Sequence, residues 1–360
     1  MRVAHISRST LFTSPGGDTT QLEETAENLR LRGVEVDIFL AGDEIDYSKY
    51  DLLHFFNSIR PADIIKHIRL SKKPYVVSTI FVEYGGVKTE GGGGVQSMLK
   101  SVFSEAAMDY IKVIGRAVKN GERIVSKEYL WMGHTKAVKY VAEHAAMLLP
   151  NSESEYRRFA KKFNISRPYR VVPNGINTSL TEQTYPHSEK YKNAIICMGR
   201  IEARKNQLAL IRALNNSAFK LYIHGKPSPN AMAYYEQCKQ EAAPNIFIGG
   251  HLDAQELYTA YSNAKVHVLP SYFETTGLSS LEAAVMGCNI VVTDKGDTRD
   301  YFGHDAWYCE PDDVQSIRKA VEAAYDAPYD PTFRQRILQQ YTWEQAAEET
   351  LHAYKVVLKL

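Results

Sequence analysis

Short runs of β-branched and apolar residues alternate with stretches of helical periodicity along the whole chain, and that alternation admits few folds. The first unit sets the pattern. A strand is expected over residues 3–7, and a helix over 19–31 with Leu22, Ala26 and Leu29 on one face. Gly33 is its stop, and a second strand follows over 34–40. Further strands are expected at 52–56, 75–80, 145–149 and 170–172, after which Pro173-Asn174-Gly175 reads as a turn. Residues 177–193 are polar, lack periodicity and fit a linker. A second series then begins, with strands at 194–198, 220–224, 246–248, 266–269 and 290–293. Helical patterns lie between and beyond them, near 206–215, 231–242, 254–262, 277–286 and 312–325.

Such a series builds parallel sheets wrapped by helices. A chain of 360 residues exceeds the usual size of one domain, so two doubly wound domains in tandem are expected. Their bounds are expected at 1–175 and 176–343, with a last helix over 344–360 packing back on the first. Ligands bind such sheets beyond the carboxyl ends of the strands, which places the expected site in the cleft between domains.

Composition narrows the class. Apolar residues make up 44%, enough for two ordinary cores and too few for a membrane protein, and a net charge of +1 argues against a dedicated nucleic-acid binder. The charge is uneven: Lys100 to Arg170 carries fourteen Lys/Arg against seven Asp/Glu. A solvated face explains such a run; attraction to an anionic membrane surface or a phosphorylated acceptor is the functional alternative. The four cysteines show no Cys-x-x-Cys pairing, and Cys197 and Cys288 sit in apolar runs as small core residues. The N-terminal apolar core is too short for a signal peptide, and no stretch reaches the roughly 20 apolar residues of a membrane span. A cytoplasmic protein is expected, peripheral at the inner face of the plasma membrane if the basic stretch binds lipid.

Chemistry concentrates in the second half. Glu274 and Glu282 flank a helix start, Glu274 in the loop after the strand at 266–269 and Glu282 about a turn inside the helix. The amides of Thr276, Gly277 and Leu278 and the positive dipole end between them suit an anion, and carboxylates suit hydroxyls. A molecule with both phosphates and a polyol, such as a nucleotide sugar, fits the pair. The plainer alternative is one helix-start carboxylate and one solvated side chain.

Gly199-Arg200 follows the strand at 194–198, and Lys205 stands at a helix start. Cations there oppose the helix dipole unless they grip an anion such as a diphosphate, Arg by its fork and Lys as a point charge. Gly16 and Gly17 open the first helix, either as a plain turn or as a close approach to a phosphate or sugar. His251, after Gly249-Gly250, either contacts a base or phosphate or caps the helix at 254–262. His54 reads as a satisfied buried histidine. There is no Walker motif, no Gly-x-Ser-x-Gly, no His-Glu-x-x-His and no Asp-x-Asp. Metal-independent chemistry without a cofactor is therefore expected.

At this point the chain resembles the retaining glycosyltransferases of family 4, over nearly its whole length. The residues carrying the resemblance are Pro15-Gly16-Gly17 with Arg32 to Val36, Val172 to Asn177, Gly199-Arg200 with Lys205-Asn206, and Pro270-Ser271 through Glu274 to Glu282 and Gly287. The resemblance implies the GT-B fold, an α/β architecture of two Rossmann-like domains facing a cleft. It implies that Arg200 and Lys205 bind and stabilise the leaving diphosphate and that Glu282 holds the ribose hydroxyls. Glu274, with the amides around Thr276-Gly277-Leu278, would contact the donor sugar and the distal phosphate, with anomeric configuration retained. Many relatives carry a histidine after the strand at 75–80; here Phe81 takes that place, and Glu83 is the candidate polar substitute near acceptor and sugar.

The expected function is metal-independent transfer of a hexose from a nucleotide diphosphate sugar, UDP- before GDP-, to a growing surface or lipid-linked glycan. A nucleotide-sugar epimerase and a non-catalytic donor-binding subunit are the alternatives.

Overall fold

The computed structural model describes residues 1–82, 127–228 and 230–360. Glu83, the glycine-rich stretch at 85–94 and the basic residues from Lys100 to Arg123 lie outside the described residues. The chain forms two compact units: residues 1–81, 127–174 and 343–360 belong to the first, and Gly175–Thr342 forms the body of the second.

The first unit holds five strands: β1 (Arg2–Ser7), β2 (Glu35–Leu40), β3 (Leu52–Phe56), β4 (Tyr75–Ser78) and β5 (Met147–Leu149). They run parallel in the order β2-β1-β3-β4-β5. Residues 170–172, expected as a strand, form none. Leu148 makes one isolated bridge with Tyr169, and the amides of Arg170 and Val172 bond to Leu148 and Pro150. The nearby Pro168 and Pro173 lack the amides a longer ladder requires.

The helix Trp343–Leu358 belongs to this unit through a buried polar chain. The Tyr354 hydroxyl lies 3.0 Å from His5 Nε2 and 2.6 Å from His54 Nδ1, and His54 Nε2 lies 2.8 Å from Ser78 Oγ. His5 Nδ1 is buried and meets no partner among the described residues. An unmet acceptor costs less than an unmet donor, so we place the His5 proton on Nε2, donating to Tyr354. Tyr354 then donates to His54 Nδ1, and His54 Nε2–H donates to Ser78. His54 is thus the satisfied core histidine expected.

The second unit holds six parallel strands: β6 (Ile195–Met198), β7 (Leu221–His224), β8 (Ile246–Gly249), β9 (Val266–Leu269), β10 (Asn289–Thr293) and β11 (Ala306–Cys309). Their order is β11-β10-β9-β6-β7-β8. β6, β7, β9 and β10 are wholly buried, as strands covered by helices on both faces must be. β11 was not expected, although its residues Ala306-Trp307-Tyr308-Cys309 are all apolar; its central Trp307 and Tyr308 are only half-buried, as on an edge. All four cysteines are buried and unpaired.

The strand order reverses between β6 and β9. These two pair over only Ile195↔Val266 and Ile196↔His267, whereas β6 and β7 pair through Met198↔His224. β6 and β9 therefore part before their carboxyl ends. That divergence is the topological switch point, where open α/β sheets take their ligands.

Candidate functional site

Two loops meet at the switch point. After β6, Gly199–Glu202 leads into a tight turn at Ala203–Lys205, and Asn206 starts the helix Gln207–Leu214 from a left-handed conformation at φ 59°. Lys205 thus sits in the turn before the helix rather than within it. After β9, residues 270–277 lead into the helix Leu278–Val285, whose N-cap is Gly277 at φ 71°. A non-glycine residue there would be strained, and Gly277 has no side chain with which to cap the helix. Ser279 Oγ on the first turn donates to Met198 O at 3.1 Å, holding this helix start against the end of β6.

The loops are bound together by their own polar groups. Asn206 Nδ2 donates to Pro270 O at 3.1 Å and to Pro311 O at 2.8 Å, and Tyr272 N donates to Arg204 O at 2.9 Å. Glu274 is only 4% exposed and has its backbone pinned on the other side, N donating to Lys295 O at 3.1 Å and O accepting from Asp297 N at 2.8 Å. Gly296 passes so close that a Cβ there would lie 1.9 Å from Glu274 O.

The carboxylate of Glu274 is used unevenly. Oε1 accepts from Lys205 Nζ at 2.5 Å and Ser271 Oγ at 2.6 Å, with Arg204 Nη1 at 3.9 Å. Among the described residues no donor bonds to Oε2. Burial drives the Glu274 pKa upward, but Lys205, Arg204 and the hydrogen bonds outweigh it and hold the group below the ordinary carboxylate value. Glu274 is an ionised acceptor with one oxygen saturated and the other open.

Glu282 has the opposite character. It lies in the second turn of the same helix, partly buried, with Tyr261 OH donating to Oε2 at 3.3 Å. Burial pushes its pKa up to about 7 against the opposing pull of that one hydrogen bond.

The remaining expected residues fall as follows. Arg200 is exposed, and its backbone O accepts from Gln207 Nε2 at 2.8 Å. Thr276 is buried and Leu278 half-buried at the helix start. His251 is exposed beyond β8, an edge strand two places from β6, and is not in this cluster. It does not cap the following helix: Asp253 does, accepting from Glu256 N, because a short carboxylate at the N-cap reaches the third amide. Gly16 and Gly17 lie in the first unit at the start of Gly17–Leu31, where Gly16 is extended at φ −153° and glycine is not demanded by the backbone. Phe81 is buried as a core residue against Phe159 and Phe163. Glu83 lies outside the described residues.

Several partners were not anticipated. Arg204 Nη1 donates to Phe273 O at 3.0 Å and Nη2 to Glu202 Oε1 at 3.0 Å, while Glu202 Oε2 accepts from Ser228 Oγ at 2.6 Å. Arg204 stands beside Lys205 in the sequence, yet it bonds both the neighbouring Glu202 and a carbonyl 69 residues away, and Glu202 is in turn held by Ser228, 26 residues further on. Among the described residues no group of His, Cys, Asp and Glu is arranged to hold a metal ion, and no helix is long and apolar enough to cross a membrane.

Residues 182–341, and so this whole site, match the family model described as "Glycosyl transferases group 1". The chain is 26% identical over 196 residues to a glycogen synthase of Mycobacterium tuberculosis, covering 51% of this chain and 47% of that protein. It is 23% identical over 239 residues to an MMP alpha-(1->4)-mannosyltransferase of Mycolicibacterium hassiacum, covering 62% and 57%. The chain spans about half the length of the curated relatives it matches. Among solved structures, it resembles sucrose-phosphate synthase from Thermosynechococcus elongatus with a TM-score of 0.75 at 17% identity, over 100% of this chain and 99% of that one. It also resembles Anabaena HepE in complex with UDP-glucose, with a TM-score of 0.70 at 12% identity over 100% of both chains. At these identities the likeness is one of fold, and the fold is GT-B, as the sequence led us to expect.

Proposed function

We propose that this protein is a glycosyltransferase that moves a hexose from a nucleotide diphosphate sugar, UDP- favoured and GDP- next, to a growing glycan on a surface or lipid carrier. The observation that carries the reading is the cluster at the parting of β6 and β9. Arg200, Lys205 and a helix start without a side-chain cap stand at the same strand ends as a buried carboxylate with one open oxygen. The family match over 182–341 and the glycosyltransferases among the relatives support it.

The transition state of glycosyl transfer separates a cationic sugar from a departing diphosphate, so charge stabilisation is the main task. Arg200 grips the diphosphate. The Lys205 ammonium has three N–H groups; one is directed to Glu274, which leaves two for phosphate oxygens. The amides at Thr276-Gly277-Leu278 take the distal phosphate, Glu274 Oε2 accepts a sugar hydroxyl, and Glu282 accepts the ribose hydroxyls. Configuration is retained by same-face attack, with a donor phosphate oxygen taking the acceptor's proton, so neither glutamate serves as general base. Arg200, Lys205 and the helix start supply the positive charge, and no divalent metal or cofactor takes part. The basic stretch at 100–170 holds the protein on the anionic cytoplasmic face of the membrane.

Thermal-shift screening with UDP-, GDP- and ADP-sugars identifies the donor. Arg200→Ala and Glu282→Ala should each abolish transfer while the fold persists, and turnover at the wild-type rate in either would refute the site. Activity abolished by EDTA would refute the metal-independent scheme. Turnover of donor without acceptor would mark an epimerase instead, and donor binding without transfer to any acceptor would mark a binding subunit.

A further inference from the structure

Arg204 reaches from the loop after β6 to both the backbone and the carboxylate region of the loop after β9. Nη1 bonds Phe273 O at 3.0 Å, the carbonyl directly preceding Glu274, and lies 3.9 Å from Glu274 Oε1. Its backbone carbonyl accepts from Tyr272 N at 2.9 Å, so residue 204 holds the approach to Glu274 from two sides. The guanidinium is itself oriented: Nη2 is held by Glu202 Oε1 at 3.0 Å, and Glu202 is fixed through Oε2 by Ser228 Oγ at 2.6 Å in the loop after β7. The side chains of Arg204 and Glu202 are 28% and 21% exposed, so both are shielded from competing water more than a surface pair. A planar fork bonding two acceptors at fixed angles is a stiff strut, which a lysine cannot reproduce.

Resting on the donor-site reading above, we propose that Arg204, set by Glu202 and Ser228, is a positioning residue for sugar recognition. It fixes the peptide before Glu274 and keeps Oε1 turned to the cations, which leaves Oε2 as the one acceptor presented to the donor sugar. Lys205 secures the charge of Glu274, and Arg204 secures its aim. Arg204 itself is engaged with protein acceptors and is not assigned to the diphosphate. Its loss therefore weakens recognition of the sugar and spares recognition of the nucleotide.

The test compares calorimetric binding of UDP with UDP-glucose, GDP with GDP-mannose and ADP with ADP-glucose, for the intact protein and its variants. For the pair the wild type prefers, Arg204→Ala should weaken the sugar nucleotide about tenfold and leave the nucleoside diphosphate within about twofold. Glu202→Ala should show the same selective loss, and the double variant no more than either single, since the two act as one strut. Arg204→Lys should recover only part of the lost affinity, and in transfer assays the loss should show in KM for the donor. Should Arg204→Ala fail to fold, Glu202→Ala carries the same comparison. Equal weakening of nucleotide and sugar nucleotide would overturn the proposal by making Arg204 a diphosphate ligand, and unchanged affinity for both would also overturn it. A wild-type protein that binds none of the six compounds would instead sink the donor-site reading, and the inference with it.

Discussion

Removing Lys205 should expose how much of the second unit's stability depends on Glu274 keeping a charged partner. At 2.5 Å the attraction between the two charges is about 7 kcal/mol at an effective dielectric of 20, before either group's desolvation is counted. Lys205→Met deletes that attraction and leaves a carboxylate 4% exposed, with Ser271 and Arg204 as its remaining polar neighbours. At 3.9 Å, Arg204 still contributes about 4 kcal/mol of gross attraction on the same scale. The net loss should therefore be about 2–3 kcal/mol, below the roughly 3–5 kcal/mol of a buried pair stripped of all support. Glu274→Gln should cost less, about 1 kcal/mol, because Lys205 keeps a path to water and the amide oxygen still accepts from Ser271. In Lys205→Met/Glu274→Gln no buried charge remains, and stability should return to within about 1 kcal/mol of the wild type. The coupling energy of the cycle is then about 2–4 kcal/mol. Amide hydrogen exchange of β6 and β9 is the assay, since it reports opening of the second unit without requiring the whole chain to unfold in one step. A coupling below about 0.5 kcal/mol, or a double variant no more stable than Lys205→Met, would refute the argument that the pair stabilises the site.

The neighbouring carboxylate should make donor binding depend on pH in a defined sense. With its pKa raised to about 7, Glu282 is substantially protonated in mildly acidic solution, whereas accepting two ribose hydroxyls favours the anion. Donor affinity should rise as pH rises through about 7, with proton release on binding measurable calorimetrically in buffers of different ionisation heat; Glu282→Gln should abolish that release. The same raised pKa means the folded state holds this proton more tightly than the unfolded one, so the contribution of Glu282 to stability falls as pH rises from about 4.5 to about 7. The first unit should respond oppositely. Burial lowers the pKa of His5 to about 3 and that of His54 well below 6.5, so below pH about 6.5 protons favour the unfolded state and stability falls with acid. Tyr354→Phe removes the hydroxyl both rings share and should cost about 2–3 kcal/mol, read as faster hydrogen exchange across Trp343–Leu358. Gly296→Ala places a methyl 1.9 Å from Glu274 O at φ +100°; it should displace the Glu274 peptide and reduce sugar-nucleotide affinity at least tenfold, and unchanged binding would show that the peptide's position does not matter.

What the sequence disclosed and what it withheld divide along a physical line. Residues 266–269 read correctly as a buried strand and 278–285 as the helix behind it, because burial on both faces and packing on one face leave different periodicities. That local reading already put Glu274 in the strand-to-helix loop and Glu282 within the helix. β11 was overlooked although Ala306-Trp307-Tyr308-Cys309 is an apolar run between Asp305 and Glu310, so its signal was present, and residues 170–172 misled because an apolar pair between prolines resembles a strand that has no ladder to join. The pairing of Lys205 with Glu274 was illegible for a different reason. The two lie 69 residues apart, and they meet because β9, three strands later in the chain, inserts beside β6 and then departs from it after two paired residues. Nothing within either loop records that register. The consequence is chemical as well as geometric. From composition alone a lysine and a glutamate at one strand end are two independent ligands, one for phosphate and one for a sugar. With Nζ and Oε1 bonded to each other they become a single acceptor–donor unit, whose charge is fixed before a ligand arrives and whose open oxygen is fixed by Arg204. A substitution at Lys205 therefore cannot be read as loss of a phosphate contact alone: it also changes the protonation of the group assigned to the sugar.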